Sequence, residues 1–101
     1  MPAAYLIVES SITDPEIFKA YMEAAPAVVK VFGGEYLVRG GRTAVLEGDW
    51  APPRLTVLRY PSFEQAQAMY DSPGYVQARA LRHGATACFN MVLVEGVEAP
   101  V

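Results

Sequence analysis

The segment Gly33–Gly48, GGEYLVRGGRTAVLEG, constrains the fold more than any other stretch of this chain. Glycine pairs open and divide it, and the residues between read as two short β-prone runs, Glu35–Arg39 and Thr43–Glu47. Glycine reaches the positive φ that a tight reversal needs, so Gly40-Gly41-Arg42 is expected to turn these runs into a hairpin or a bent strand. Alternate residues of a strand share a face, which sets Arg39 beside Leu37 and Glu47 beside Val45. A charge on an apolar face needs a partner. Two readings follow: Arg39 and Glu47 form a structural ion pair at the hairpin end, or they line a polar pocket where Arg39 offers its planar fork to a carboxylate or enolate.

The flanking residues supply the other elements. Ala3–Glu9 reads as a strand, apolar on both faces, and Thr13-Asp-Pro-Glu16 has the spacing of a capping box at a helix start. Phe18, Tyr21, Met22, Ala25, Val28 and Val29 follow at helical spacing. Pro26 is expected to break or kink this helix near Ala25, and Gly33-Gly34 to end it. Arg54–Tyr60 reads as a strand, Ser62-Phe-Glu-Gln65 opens a second helix, Ser72-Pro73 stops it, and a helical segment from Gly74 to about Ala85 leads into the strand Ala87–Glu95. The order β-α-β(β)-β-α-β suits an α+β, ferredoxin-like βαββαβ domain over residues 1–96, with a tail over 97–101. Its four-stranded antiparallel sheet would carry both helices on one face. Because strands one, three and four are apolar at both parities, the other face is expected to pack on a second copy, closing a barrel-like homodimer core.

Charged residues make up 19% of the 101, and the net charge of -3 offers no basic field for a phosphate backbone, so nucleic acid is not an expected partner. One cysteine and one histidine cannot build a disulfide framework or a Cys/His zinc site within a protomer. No phosphate loop, Ser/His/Asp order or dinucleotide fingerprint is present, so no cofactor is expected. The opening MPAAYLIVES lacks the basic start and long apolar core of a signal peptide. The expectation is a cytoplasmic chain that does not enter a membrane.

Several other side chains have both a functional and a structural reading. Arg54 and Arg59 flank the third strand, where each suits an anion clamp or a solvated strand end. Ser72-Pro-Gly-Tyr75 opens a helical turn whose free amides suit an anion, and it is equally an ordinary helix restart. Tyr75, Arg79, Arg82 and His83 follow on one helical face. His83 is a candidate general base or haem ligand, although basic residues also favour a helix C-terminus without any function. Cys88, in an expected interior strand, reads as a small buried hydrophobe. Asn90, between Phe89 and Met91, calls for a partner at a dimer interface or pocket wall. Tyr5, Tyr21, Tyr36, Tyr60 and Tyr70 read mostly as core or interface aromatics, although a phenol facing a cleft could hydrogen-bond a ligand.

The runs GGEYLVRGG, VLEGDW, PPR, YPSFEQAQAMY and DSPGY, in this order and spacing, resemble the bacterial family called domain of unknown function 1330, within the dimeric α+β-barrel superfamily. The resemblance covers nearly the whole chain. It implies a ferredoxin-like protomer, a homodimer whose sheets face each other, and a ligand site between helices and sheet. The family pattern falls on Arg39, Gly40, Gly41, Glu47, Gly48, Arg54, Ser62, Ser72, Pro73, Tyr75 and Arg82, whereas Met69 departs from it. The superfamily includes antibiotic-biosynthesis monooxygenases, haem-degrading enzymes, lactone isomerases and stress-response proteins, so membership does not choose a reaction. Two functions stay open. One is a cofactor-free proton-transfer enzyme for a small anionic or enolisable molecule, with Arg39 orienting, Glu47 or His83 moving the proton, and Arg54, Ser72, Tyr75 and Arg82 binding. The other is a non-catalytic binding or stress-related module whose polar residues are structural.

Overall fold

A computed structural model of the protein describes residues 2–98. The elements run β1 (Ala4–Ile12), α1 (Pro15–Val31), β2 (Glu35–Arg39), β3 (Leu55–Tyr60), α2 (Phe63–Asp71), α3 (Pro73–Ala80) and β4 (Thr86–Glu95). The four strands form one antiparallel sheet in the order β2-β3-β1-β4, the ferredoxin-like arrangement. All three helices cover one face, and the Cα envelope is only 16 Å in its thinnest dimension, two layers deep. Val97 and Glu98 continue beyond β4 without regular structure, and the rest of the tail expected over 97–101 lies outside the described residues.

The core sits between sheet and helices. Ala4, Leu6, Val8 and Ser10 alternate along β1 toward the helices and are buried, as are Leu58 and Tyr60 of β3. Phe18, Ala25 and Val29 of α1, Ala66 and Met69 of α2, and Tyr75 and Ala78 of α3 meet them. The opposite sheet face is uncovered. There Val92 and Val94 are 60% and 45% exposed, and Ile7 and Val57 stand opposite each other, half-buried.

Four expectations change. The helix start uses Asp14, not Thr13: the Asp14 carboxylate accepts from the Ile17 amide at 3.2 Å, with Pro15 in the first turn. The Thr13 and Asp14 amides instead donate to the Ala85 carbonyl at 2.8 and 3.1 Å, tying α1 to the turn before β4. Pro26 does not end the helix, since α1 continues to Val31. The hairpin is absent: Thr43–Glu47 is exposed loop, and β2 pairs with β3 across the long connection 40–54. Residues that alternate poorly in polarity and sit among glycines lose to β3, which pairs with β2 from Glu35 to Arg39 around one register shift. Finally, Cys88 lies on an edge strand, half-buried, and not in the sheet interior.

The caps at Ser62 and Ser72 form as the spacing predicts. Ser62 Oγ accepts from the Gln65 amide at 3.1 Å. Ser72 Oγ donates to the Met69 carbonyl at 2.7 Å and accepts from the Tyr75 amide at 3.2 Å, so one side chain closes α2 and opens α3.

Candidate functional site

The helix-facing side of β3 presents Thr56, Leu58 and Tyr60 in order, because alternate residues share a face, and Arg54, just before the strand, lines the cavity with them. β2 lies alongside with a register shift between Tyr36 and Val38. Such a bulge spends one extra residue and resets the alternation, so Tyr36 and Arg39, three apart, both turn toward the helices. The Arg39 guanidinium lies 4.5 Å from the Tyr36 ring centroid and donates to the Met22 carbonyl of α1 at 2.7 Å. Arg39 therefore does not share the face of Leu37, and it is not paired with Glu47.

Between this wall and α1 and α3 lies a cavity with about 40 Å³ open to the centres of water-sized molecules. That is room for ordered water or for a small ligand group. Tyr21, Tyr36, Tyr60 and Tyr75 all line it. The Tyr21 and Tyr75 hydroxyls are 2.6 Å apart, joining α1 to α3. Tyr60 is 0% exposed, yet its buried hydroxyl has no hydrogen-bond partner. Arg39 is an exposed lining residue and Arg54 a half-buried one, which sets the mouth at the Arg54 end of β3. The Arg54 guanidinium packs on Gly40, whose φ of 72° and missing Cβ make that approach possible. No hydrogen bond or ion pair holds the Arg54 side chain to another described residue, while its backbone carbonyl accepts from the Ser10 amide at 3.0 Å.

Burial pushes all four phenols above their ordinary pKa. Neighbouring tyrosines add to the rise at Tyr21, Tyr36 and Tyr60, while the Arg82 cation opposes it at Tyr21 and Tyr75. Arg82 sits behind the pair, its guanidinium carbon 3.7 Å from the Phe89 centroid and 4.9 Å from that of Tyr21, and its buried Nε has no partner. At neutral pH the four phenols are protonated, so they can donate hydrogen bonds and cannot serve as bases. No Asp, Glu, His or Lys lines the cavity.

The residues singled out from sequence separate into two groups. Arg39, Arg54 and Tyr75 converge on the cavity, with Arg82 backing it. Glu47 is an exposed loop residue away from it. His83 is exposed past the end of α3 and borders a separate open groove with Arg79 and Arg82. Ser72 spends its hydroxyl on the two caps, and Arg59 pairs with Glu35 at 3.3 Å on the exposed sheet face. Asn90 donates to Glu9 Oε1 at 3.1 Å, and Trp50 to Glu9 Oε2 at 3.0 Å, also on that open face. The tyrosine cluster is what sequence reasoning missed, since its members come from α1, β2, β3 and α3. Among the described residues no three His, Cys, Asp or Glu side chains stand together as metal ligands, and no helix is long and apolar enough to cross a membrane.

The domain of unknown function DUF1330 matches residues 3–97. The chain belongs to this family. No curated protein matches it. Among solved structures, the RPA0582 protein of unknown function from Rhodopseudomonas palustris is 18% identical, with a TM-score of 0.73 over 96% of this chain and 84% of that one. A dimeric ferredoxin-like protein of unknown function from Jannaschia sp. CCS1 is 13% identical, with a TM-score of 0.65 over 93% and 99%. A protein from Nitrosomonas europaea, provisionally assigned as an antibiotic biosynthesis monooxygenase, is 19% identical, with a TM-score of 0.58 over 96% and 92%. At such identities the likeness concerns the fold, and this DUF1330 chain shares the ferredoxin-like architecture with all three.

Proposed function

We propose that this DUF1330 protein is a homodimer that binds a small organic anion in the tyrosine-lined cavity of each protomer. The observation that carries the reading is the unpaired, half-buried Arg54 guanidinium at the mouth of a cavity whose interior offers protonated phenols. An arginine without a carboxylate partner favours an anionic ligand group, to which it can donate two parallel hydrogen bonds. The apolar wall from Leu58, Phe89 and Met91 suits a short hydrocarbon body. Arg39 contributes less to the anion because one of its nitrogens is already held by Met22.

Binding is favoured over proton abstraction. Glu47 and His83, the two residues expected to move a proton, lie outside the cavity, and the groups inside have no basic form at neutral pH. The chemistry this site could supply is hydrogen-bond donation to an oxyanion such as an enolate. The dimer reading rests on the uncovered sheet face, where Val92, Val94, Ile7 and Val57 form an apolar surface, and on the dimeric state of the Jannaschia relative.

The test is a thermal-shift and calorimetric screen with small carboxylates, comparing the wild type with Arg54→Met. A bound carboxylate raises the unfolding midpoint by mass action, and the methionine variant is expected to lose that rise. A folded Arg54→Met protein that binds the same carboxylates as tightly as wild type would overturn the reading.

A further inference from the structure

We infer that the open groove at the end of α3 is a second binding site, fitted to the dianionic head of a small phosphate monoester, with Arg79 and Arg82 as its clamps. It is separate from the tyrosine-lined cavity and stands independently of the carboxylate reading. Val76, Arg79, Ala80, Arg82, His83 and Thr86 border it, with about 490 Å³ open to the centres of water-sized molecules, room for a small organic ligand.

The charge in this groove is one-sided. Arg79, Arg82 and His83 fall within five positions of a chain whose net charge is -3, and no Asp or Glu borders the groove. Neither guanidinium has a hydrogen bond or an ion pair with another described residue. Each is held by stacking instead: the Arg79 guanidinium carbon lies 4.5 Å from the Tyr70 ring centroid, and that of Arg82 lies 3.7 Å from the Phe89 centroid. A guanidinium stacked through its flat face is positioned in advance and keeps its N–H edge for a ligand. In Arg82 only Nε is sealed, so its terminal nitrogens are the ones that make the contact. The Arg82 amide donates to the Arg79 carbonyl at 3.2 Å, and this i to i+3 turn brings the two side chains to the same side.

Basic residues near a helix C-terminus often serve only the carbonyls left free there. Here that need is already met. Ala78, Arg79 and Ala80 accept from the amides of Leu81, Arg82 and His83 at 3.0, 3.2 and 3.3 Å, and neither arginine side chain turns to a carbonyl. Two fixed cations without a carboxylate between them match a dianion better than a monoanion, and the terminal oxygens of a phosphate offer acceptors to both planar forks. His83 and Thr86 add donors at the rim. Val76, 44% exposed, and Ala80 form an apolar strip beside the cations, which the organic body of an ester covers and free phosphate does not.

The experiment is an amide NMR titration of wild type, Arg79→Gln, Arg82→Lys and Arg54→Met with phenyl phosphate, inorganic phosphate and benzoate. It is run in low salt at about pH 8, where the phosphates are dianions, and affinity is read from the Gly84 and Thr86 signals. At these signals wild type is expected to bind phenyl phosphate on the order of tenfold more tightly than either other probe. Arg79→Gln and Arg82→Lys should each weaken phenyl phosphate on the order of tenfold, the size of one charge-assisted hydrogen bond. Arg82→Lys keeps the charge, so its loss reports the planar fork. Arg54→Met should bind phenyl phosphate as wild type does. Benzoate binding as tightly as phenyl phosphate would overturn the preference for a dianion, and inorganic phosphate binding as tightly would overturn the ester. No shift at Gly84 and Thr86 with millimolar phenyl phosphate, or undiminished binding by folded Arg79→Gln and Arg82→Lys, would overturn the site. Loss of binding in Arg54→Met would place the phosphate at the cavity mouth and overturn it equally, whereas failure of the groove leaves the carboxylate reading untouched.

Discussion

Arg39 donates to the carbonyl oxygen of Met22 at 2.7 Å, and that oxygen is the one an amide at position 26 would occupy in an unbroken helix. Pro26 has no amide hydrogen, so its helix acceptor four residues earlier is left free. A guanidinium from β2 fills the vacancy. The proline that reads as a helix breaker is accommodated because a strand residue supplies the missing donor, and the same contact pins α1 over the mouth of the cavity.

A double-mutant cycle tests this dependence. Arg39→Ala should destabilise the protein by about 1–2 kcal/mol in urea unfolding, as expected for a hydrogen bond from a charged donor. In a Pro26→Ala background the helix regains its own amide, and the same arginine substitution should cost about 1 kcal/mol less. Additive effects, with no coupling between the two sites, would show that Arg39 is not compensating for the proline.

The phenol cluster sets an alkaline limit. Tyr21, Tyr36, Tyr60 and Tyr75 have folded-state pKa values raised, first by burial, above the value of about 10 for the unfolded chain. A group that holds its proton more tightly when folded adds stability that is fully present below the unfolded pKa and is lost as pH rises through the folded one. Urea stability should therefore be insensitive to these phenols from pH 7 to 9 and fall steeply above about pH 10. The tyrosinate absorbance of the four should appear together with unfolding. Their titration near pH 10 in a chain that keeps its far-ultraviolet dichroism would mean the cavity is open to water.

Much of the architecture was legible in the sequence for local reasons. The caps at Ser62 and Ser72, the glycines after α1 and the alternation along β4 depend on neighbours within a few residues and stand close to where the spacing predicts, whereas the first strand, read as ending at Glu9, runs on to Ile12. The failures share a cause of the opposite kind. Whether Thr43–Glu47 is a strand depends on which partner β2 takes, and the distant β3 wins. Whether Arg39 faces Leu37's side depends on a bulge set by pairing with β3. The Arg39–Met22 contact and the Tyr21–Tyr75 pair join residues 17 and 54 positions apart, beyond any spacing rule. Arg54 and Tyr75 stood out by their places at a strand end and a helix start, with the family resemblance falling on both, whereas Tyr60 looked like any core aromatic until its hydroxyl was found without a partner.

Gly40 and Gly41 separate a required glycine from a permissive one. Gly40 has a positive φ of 72°, and an added Cβ would collide with the Arg54 guanidinium, whereas at Gly41 it would come no nearer than 4.0 Å, to Val38. Gly40→Ala should cost about 1–2 kcal/mol for the left-handed backbone and weaken carboxylate binding by displacing Arg54. Gly41→Ala should change neither. Calorimetric titration and urea unfolding of the two variants side by side give the comparison, and equal behaviour would remove Gly40 from the account of the mouth.

The uncovered sheet face gives the last prediction. Val92 is 60% exposed and stands opposite Ile7, which faces Val57 on its other side, so the three make an apolar row across β4, β1 and β3. A row of this kind on a single chain has little reason to persist in water, whereas between two copies it forms the centre of a sheet-on-sheet interface. Val92→Glu places a charge in that centre while leaving the helix-facing core untouched. Light scattering at micromolar concentration should report a dimer for wild type and a shift toward monomer for the variant, with unfolding of the variant becoming independent of protein concentration. A wild type that is a folded monomer, or a Val92→Glu protein that remains fully dimeric, would place any interface elsewhere than on this face.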